Sequence, residues 1–346
     1  KKYTQKKSTL YLLSLSTSIL FTIMNDTFLN LSDSHCHFNP ECTASDTEKF
    51  AERLNEQSKQ IPDNYFHLMT TQHLDLEFMD TLLTRLENPR VLVPYFGVHP
   101  WFSHLFYIEG TPTKEEHYKN VLKPEPSNEL LATLPDPISL HKHKDRFLEI
   151  INKHNLEIYG IGEIGLDKLF RVPNNGYCGN LNFPLSTENK LSACRVDINH
   201  QLDVFKFQLT LAEQLKKQVS LHCVKAHGLL FDQVKKFSNI TVILHSYTGS
   251  IEQAQVWIKS LPQNRLYFSF SNWINGEKIE ALKALVTALR PTQILIESDI
   301  DVDRSFIEQR QTKHFDHLDG IYKKIHEHIF IDSLQIHNNM LNSIGI

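Results

Sequence analysis

Few of the residues that announce a familiar chemistry are present in this chain. Its five cysteines (Cys36, Cys42, Cys178, Cys194 and Cys223) are odd in number and show no C-x-x-C spacing. That argues against a disulfide framework and against a structural zinc site. A reducing compartment is the simplest setting for them. The twelve glycines form no G-x-G-x-x-G or P-loop pattern, so nothing marks a nucleotide-binding doubly wound sheet. No G-x-S-x-G elbow offers a serine nucleophile. Positive charge is not in excess: the formal net charge is −4. No global basic field therefore draws in nucleic acid, and a phosphate-bearing substrate has to be held by a local site or by metal.

Long apolar runs are missing too. Lys1, Lys2, Lys6 and Lys7 precede an apolar-leaning stretch from Leu10 to Met24, as in a secretory or mitochondrial leader. The stretch is too short to span a bilayer, and no small-residue cleavage site follows it. Residues 1–30 are read as an N-terminal extension, either a targeting segment or an upstream-translation artefact with Met24 as initiator. Residues 31–346 are read as a single catalytic unit. The expected location is the cytoplasm, the nucleus or both, or the mitochondrion if residues 1–23 are genuine. No stable membrane association is expected.

What is present is an ordinary globular composition, 41% hydrophobic and 22% charged, with nineteen histidines. Eight short apolar runs, rich in β-branched and aromatic residues, read as buried parallel strands. They are Leu29–His35, Tyr65–Thr71, Arg90–Phe96, Glu157–Glu163, Gln218–His222, Ile240–His245, Arg265–Ser271 and Gln293–Glu297. Segments of helical period lie between them, from Thr47–Gln60 to a last helix over Ile307–Ile331, with Asp46 and Ser250 as N-caps. Eight strands alternating with helices predict an α/β fold, a (β/α)8 TIM barrel. Two long insertions interrupt the alternation, residues 103–137 after strand 3 and residues 171–197 after strand 4. Both leave from strand C-termini, the face on which such barrels keep their sites.

Candidate ligands end five of these strands. His35 and His37 share one strand face and can grip one divalent ion. Asp33, one step deeper, is expected on the same face, accepting an imidazole N–H. Glu163 is flanked by Gly162 and Gly165. A buried carboxylate must be paired or coordinated, and its two oxygens can bridge two ions. His222 and His245 end adjacent strands and form a second position. Asp299 completes the first position and accepts a proton from water, with Glu297 supporting it. Glu163 and Asp299 are thus the catalytic candidates. Metal-ligand candidates are His35, His37, Glu163, His222, His245 and Asp299. One or two divalent ions (Mg²⁺, Mn²⁺ or Zn²⁺) suit this set, and the chemistry is phosphodiester or amide hydrolysis. His99, in Gly97-Val98-His99-Pro100-Trp101, is expected to touch substrate or a metal-bound water. Trp101 and Tyr247 are expected either to stack on a base or to pack.

These segments together resemble the TatD family of metal-dependent deoxyribonucleases. The resemblance runs from about Leu31 to Asp299. Its motifs are Asp33-Ser34-His35-Cys36-His37, Gly97 to Pro100, Gly162-Glu163-Ile164-Gly165-Leu166-Asp167, Gln201 to Ala212, His245 to Gly249 and Glu297-Ser298-Asp299. The long segment after Asp167 is similar to a fungal branch of that family. The resemblance implies a TIM barrel, divalent metal and hydrolysis of DNA phosphodiesters, with DNA as substrate. One departure concerns the basic residue expected two positions after His222, where Val224 stands; Lys225 or Arg171 then substitutes for it. The usual proline after the closing motif is also absent. Two other readings stand beside the nuclease: an ester or C–N hydrolase acting on a small molecule, and an interaction protein that keeps the metal site and serves a protein partner.

Overall fold

The computed structural model describes residues 31–57, 60–183, 185, 190–309 and 311–346; the N-terminal extension lies outside them. Eight strands form the barrel. β1 is Asp33–His37, β2 Phe66–Met69, β3 Leu92–Tyr95, β4 Ile161–Asp167, β5 Val219–Val224, β6 Val242–Leu244, β7 Leu266–Ser271 and β8 Ile294–Glu297. β1, β2 and β3 pair in parallel, as do β4 to β8 in sequence order. Backbone bonds join the two arcs. Phe96 N donates to Gly160 O at 3.0 Å, and Asp299 N donates to His35 O at 3.0 Å. The result is the closed (β/α)8 barrel expected from the sequence.

Strand alternation divides the core into two layers. Met69, Val93, Tyr95, Ile243, Tyr267 and Leu295 fill the barrel interior, closed below by Met340. Their neighbours, such as Leu92, Val242, Leu244, Phe268, Phe270, Ile294 and Ile296, face outward into the layer packed against the helices. In β8 the parity puts Leu295 inside and therefore Glu297 inside as well.

Two register shifts break that parity. One lies in β1 between Asp33 and Cys36, the other in β4 between Ile161 and Ile164. In β4 the irregularity lets Ile161 and Ile164 both face the helix layer while Glu163 turns toward the histidines. Re-aiming one side chain beside a site is what such a bulge does. Gly165 follows at φ +154°, and a Cβ there would lie 2.0 Å from His222 O. Only glycine lets β4 and β5 run this close.

The insertions are built against each other. The first carries helices Lys114–Val121 and Asn128–Thr133. Its Leu122–Lys123 pairs antiparallel with Arg195–Val196 of the second. Phe106, Tyr118, Leu122 and Leu130 of the first share an apolar cluster with Val172, Tyr177 and Val196 of the second. The single helix expected over Ile307–Ile331 is instead divided. Val302–Ile307 and Gln311–His326 are separate helices, and a further one spans Ser333–Ser343. Ser250 caps its helix by accepting from Gln253 N. Asp46 does not cap: Thr43 Oγ1 accepts from Asp46 N, and Asp46 bonds back to Thr43 N, so Thr43 holds the cap position.

Candidate metal centre

Glu163 is the hub. It is 2% exposed, and its two oxygens face different partners. Oε2 lies 3.3 Å from His35 Nε2 and 3.4 Å from His37 Nε2. Oε1 lies 2.9 Å from His222 Nδ1, 3.2 Å from His245 Nε2 and 3.3 Å from His99 Nε2. Asp299 Oδ1 lies 3.4 Å from His37 Nε2. The six sequence-derived candidates thus converge, although they come from β1, β4, β5, the turn after β6 and the turn after β8.

His99 joins them more closely than expected. It faces the hub itself, together with His222. Two further carboxylates orient imidazoles from behind. His245 Nδ1 donates to Glu297 Oε1 at 3.0 Å, as expected of a supporting carboxylate. His222 Nε2 faces Asp167 Oδ2 at 3.5 Å, and Trp101 Nε1 donates to that same oxygen at 2.7 Å. Trp101 stacks on Phe170 at 4.9 Å, so it braces the site. His35 Nδ1 is hydrogen-bonded to Ser220 Oγ at 2.9 Å. Nothing in the sequence singled out Ser220. Asp167 stood in a recognised motif without a role.

One expectation is corrected, and two that were left open are narrowed. Asp33 holds no imidazole of the H-x-H pair, because the β1 register shift turns it away. It accepts from Ser298 Oγ at 2.6 Å and Ser298 N at 2.9 Å, which pins the turn that carries Asp299. Tyr247 does not offer a stacking face. It is 3% exposed, packs on Phe268 and donates to Ser250 O. Arg171 is committed to structure, with Nε donating to Ser192 O at 2.7 Å. Lys225, by contrast, is exposed at φ +55° beyond β5. It lines a 780 Å³ cleft with Lys168 and Lys278, and that cleft has no carboxylate in its lining.

The electrostatics suit a cation. Burial alone would raise the Glu163 carboxyl, but His99, His245, His35 and His222 around it hold it well below its usual value. Asp299 is held at about 2: burial opposes ionisation, and His245 and His37 outweigh it. Burial also opposes charge on His245 and His37. Glu297 and Glu163 nevertheless push His245 up, and Asp299 and Glu163 bring His37 to about 9. Burial lowers His99 to about 4. The same negative potential that attracts protons here attracts a divalent ion, and the two compete for the imidazole lone pairs.

Buried ligand atoms crowded against one another point the same way. His35 Nε2 and His37 Nε2 are 3.0 Å apart, both turned toward Glu163 Oε2. Buried Glu163 Oε1 and His222 Nε2 make no hydrogen bond. Buried polar atoms are normally satisfied. Imidazole nitrogens and carboxylate oxygens are the ligand types of zinc and manganese. The residues present fit divalent metal. Their groupings are His35–His37–Asp299, His35–Glu163–His245, His99–Glu163–His222 and His245–Glu297–Asp299, each with ligating atoms within 4.8 Å of one another.

Comparison with known proteins agrees with this geometry. Residues 32–335 match the family described as TatD related DNase. The chain belongs to that family. A deoxyribonuclease of Saccharomyces cerevisiae, named as uncharacterized, is 36% identical over 245 residues, covering 68% of this chain and 75% of that protein. The Cut9-interacting protein scn1 of Schizosaccharomyces pombe is 30% identical over 272 residues, covering 67% and 78%. The crystal structure of a TatD homolog from Escherichia coli K12 superposes with a TM-score of 0.54 at 15% identity, covering 91% of this chain and 96% of that one. A TatD family hydrolase from Entamoeba histolytica gives 0.53 at 14%, covering 91% and 99%. These two structures speak to the fold. As a TatD-type protein the chain is a metal-dependent hydrolase of phosphodiester bonds. The readings as a small-molecule hydrolase or as an interaction protein alone have less support.

Proposed function

We propose that this TatD-type centre cleaves DNA, and that Glu163 would contribute to both positions for a divalent ion. In this reading His35, His37 and Asp299 would hold one ion, and His222 and His245 would hold the other, with His99 beside the second. The observation that carries it is the division of Glu163: one oxygen faces two imidazoles and the other faces three. When bound, paired divalent ions acidify water and stabilise charge on phosphate oxygens. The chain's own groups do the rest. Asp299, ionised at neutral pH and part-exposed at the rim, accepts the proton of the attacking water. Glu297 fixes the ring orientation of His245, and Asp167 lies beside the His222 ring.

The cleft of Lys168, Lys225 and Lys278 supports a nucleic acid over a small ester. It adjoins the β4 and β5 ends that carry Asp167 and His222. No carboxylate pairs with these ammonium groups among the described residues. Unpaired lysines in a groove suit a phosphate backbone. The likeness to a Cut9-interacting protein supports a protein partner in addition to the activity. Among the described residues no helix is long and apolar enough to cross a membrane.

The test is cleavage of single- and double-stranded DNA by purified protein with Mg²⁺, Mn²⁺ or Zn²⁺ and after chelation. Glu163→Ala and Asp299→Ala are expected to lose roughly 10²–10⁴-fold in rate. Cleavage undiminished in both variants would remove the nuclease reading. Hydrolysis of small esters with no release from DNA would replace it.

A further inference from the structure

A second cleft, of 650 Å³, is lined by Asp299 together with Trp273, Ile274, Arg304 and Lys313 among others. Trp273 is 52% exposed and Ile274 38% exposed. Large side chains left in water beside a site call for an explanation in binding.

The loop that carries Trp273 is held fast. Asn275 Oδ1 accepts from Ser271 N at 2.9 Å, and Asn275 Nδ2 donates to Tyr247 O at 2.9 Å. Lys324 Nζ clamps both ends, donating to Asn272 Oδ1 at 2.8 Å and Gly276 O at 3.0 Å. The indole is supported from helix Gln311–His326. His317 stacks on it at 5.1 Å and 21°, and Lys313 Nζ sits 6.0 Å from the ring centroid. The ring is thus both positioned and open.

Charge decides what the cleft takes. Its lining holds Arg304 and Lys313 against Asp299, Asp301 and Glu308, and Arg304 is already paired with Glu308. Such a lining does not favour phosphate, which the lysine cleft near β5 suits better. A neutral π-surface is what a fixed, exposed indole binds by stacking.

We infer that Trp273 is the stacking platform for the nucleobase next to the scissile phosphate, making it a substrate-positioning residue of this centre. The inference rests on the nuclease reading of the metal site. A base lying on Trp273 sits in a cleft that Asp299 also lines.

The test compares wild type, Trp273→Ala and Trp273→Phe on a fluorescent single-stranded oligonucleotide and on the same oligonucleotide with abasic residues. Binding is read by anisotropy and cleavage by kcat and KM. Trp273→Ala is expected to weaken binding of the normal strand about 5- to 100-fold, to leave the abasic strand unchanged, and to regain most of its affinity as Trp273→Phe. An equal loss on both strands, or no loss on either, overturns the platform. Wild type that binds DNA in a base-dependent way but cleaves none would sink the nuclease reading and leave the platform standing.

Discussion

At the residue scale, the centre depends on groups that hold the imidazoles in place. Glu297 is fully buried and accepts from His245 Nδ1, Ser246 N and Ser246 Oγ. Replacing it with glutamine keeps the shape and removes the charge that orients His245. Glu297→Gln is expected to weaken metal binding roughly 10- to 100-fold, read by competition with a chromophoric chelator. Unchanged affinity would mean that His245 is held by packing alone. Ligands at strand ends were legible in the sequence because an apolar run followed at once by His, Glu or Asp is a local signal. Their neighbours were not. Asp33 was misjudged because a register shift leaves no mark in one-dimensional periodicity. Tyr247 was ambiguous because the loop that buries it is built from distant residues. His99 was visible, but its distance from Glu163 is set by β3 meeting β4.

At the element scale, the eight strands were legible to within a few residues, since each is a short run between turn residues. The division of the last helix was not. Gln309 takes φ +55° there, and neither glycine nor proline marks the break. A charge cluster ties two barrel helices together. Asp80, on helix Asp75–Arg85, accepts from Lys153 Nζ at 2.7 Å, His154 Nε2 at 2.6 Å and Arg146 Nη2 at 2.9 Å; Arg146 and Lys153 belong to helix Leu140–Lys153. Burial works against the charge, yet these partners bring the carboxyl from 3.8 down to about 2. The folded state therefore binds this proton less readily than the unfolded one. The stabilisation is complete above about pH 4 and is lost as pH falls toward 2. Asp80→Asn is expected to unfold at lower temperature than wild type at pH 7, with the gap narrowing steadily below pH 4. A gap independent of pH in thermal melts would show that the charge contributes nothing.

At the scale of the whole molecule, metal and fold are linked, because the candidate ligands come from opposite ends of the chain. A ligand that binds only the folded state at a hundred times its Kd stabilises by about 2.7 kcal/mol. For a chain of this size that is a shift on the order of 5 °C. Chelation is expected to lower the melting temperature by such an amount, and added Mn²⁺ or Zn²⁺ to restore it, as followed by calorimetry. A melting temperature indifferent to metal would argue that no ion occupies the centre.

The seam of the barrel carries a further consequence. Asp299 is delivered by bonds between the last strand's exit and the first strand, Asp299 N to His35 O and His37 N to Ile300 O. A polypeptide still emerging from the ribosome has His35 and His37 long before it has Asp299. It does not bring the candidate ligands together until β8 has been synthesised and docked beside β1. The full set of candidate ligands thus arrives only with the docked last strand, and a product that ends before Asp299 lacks one of them.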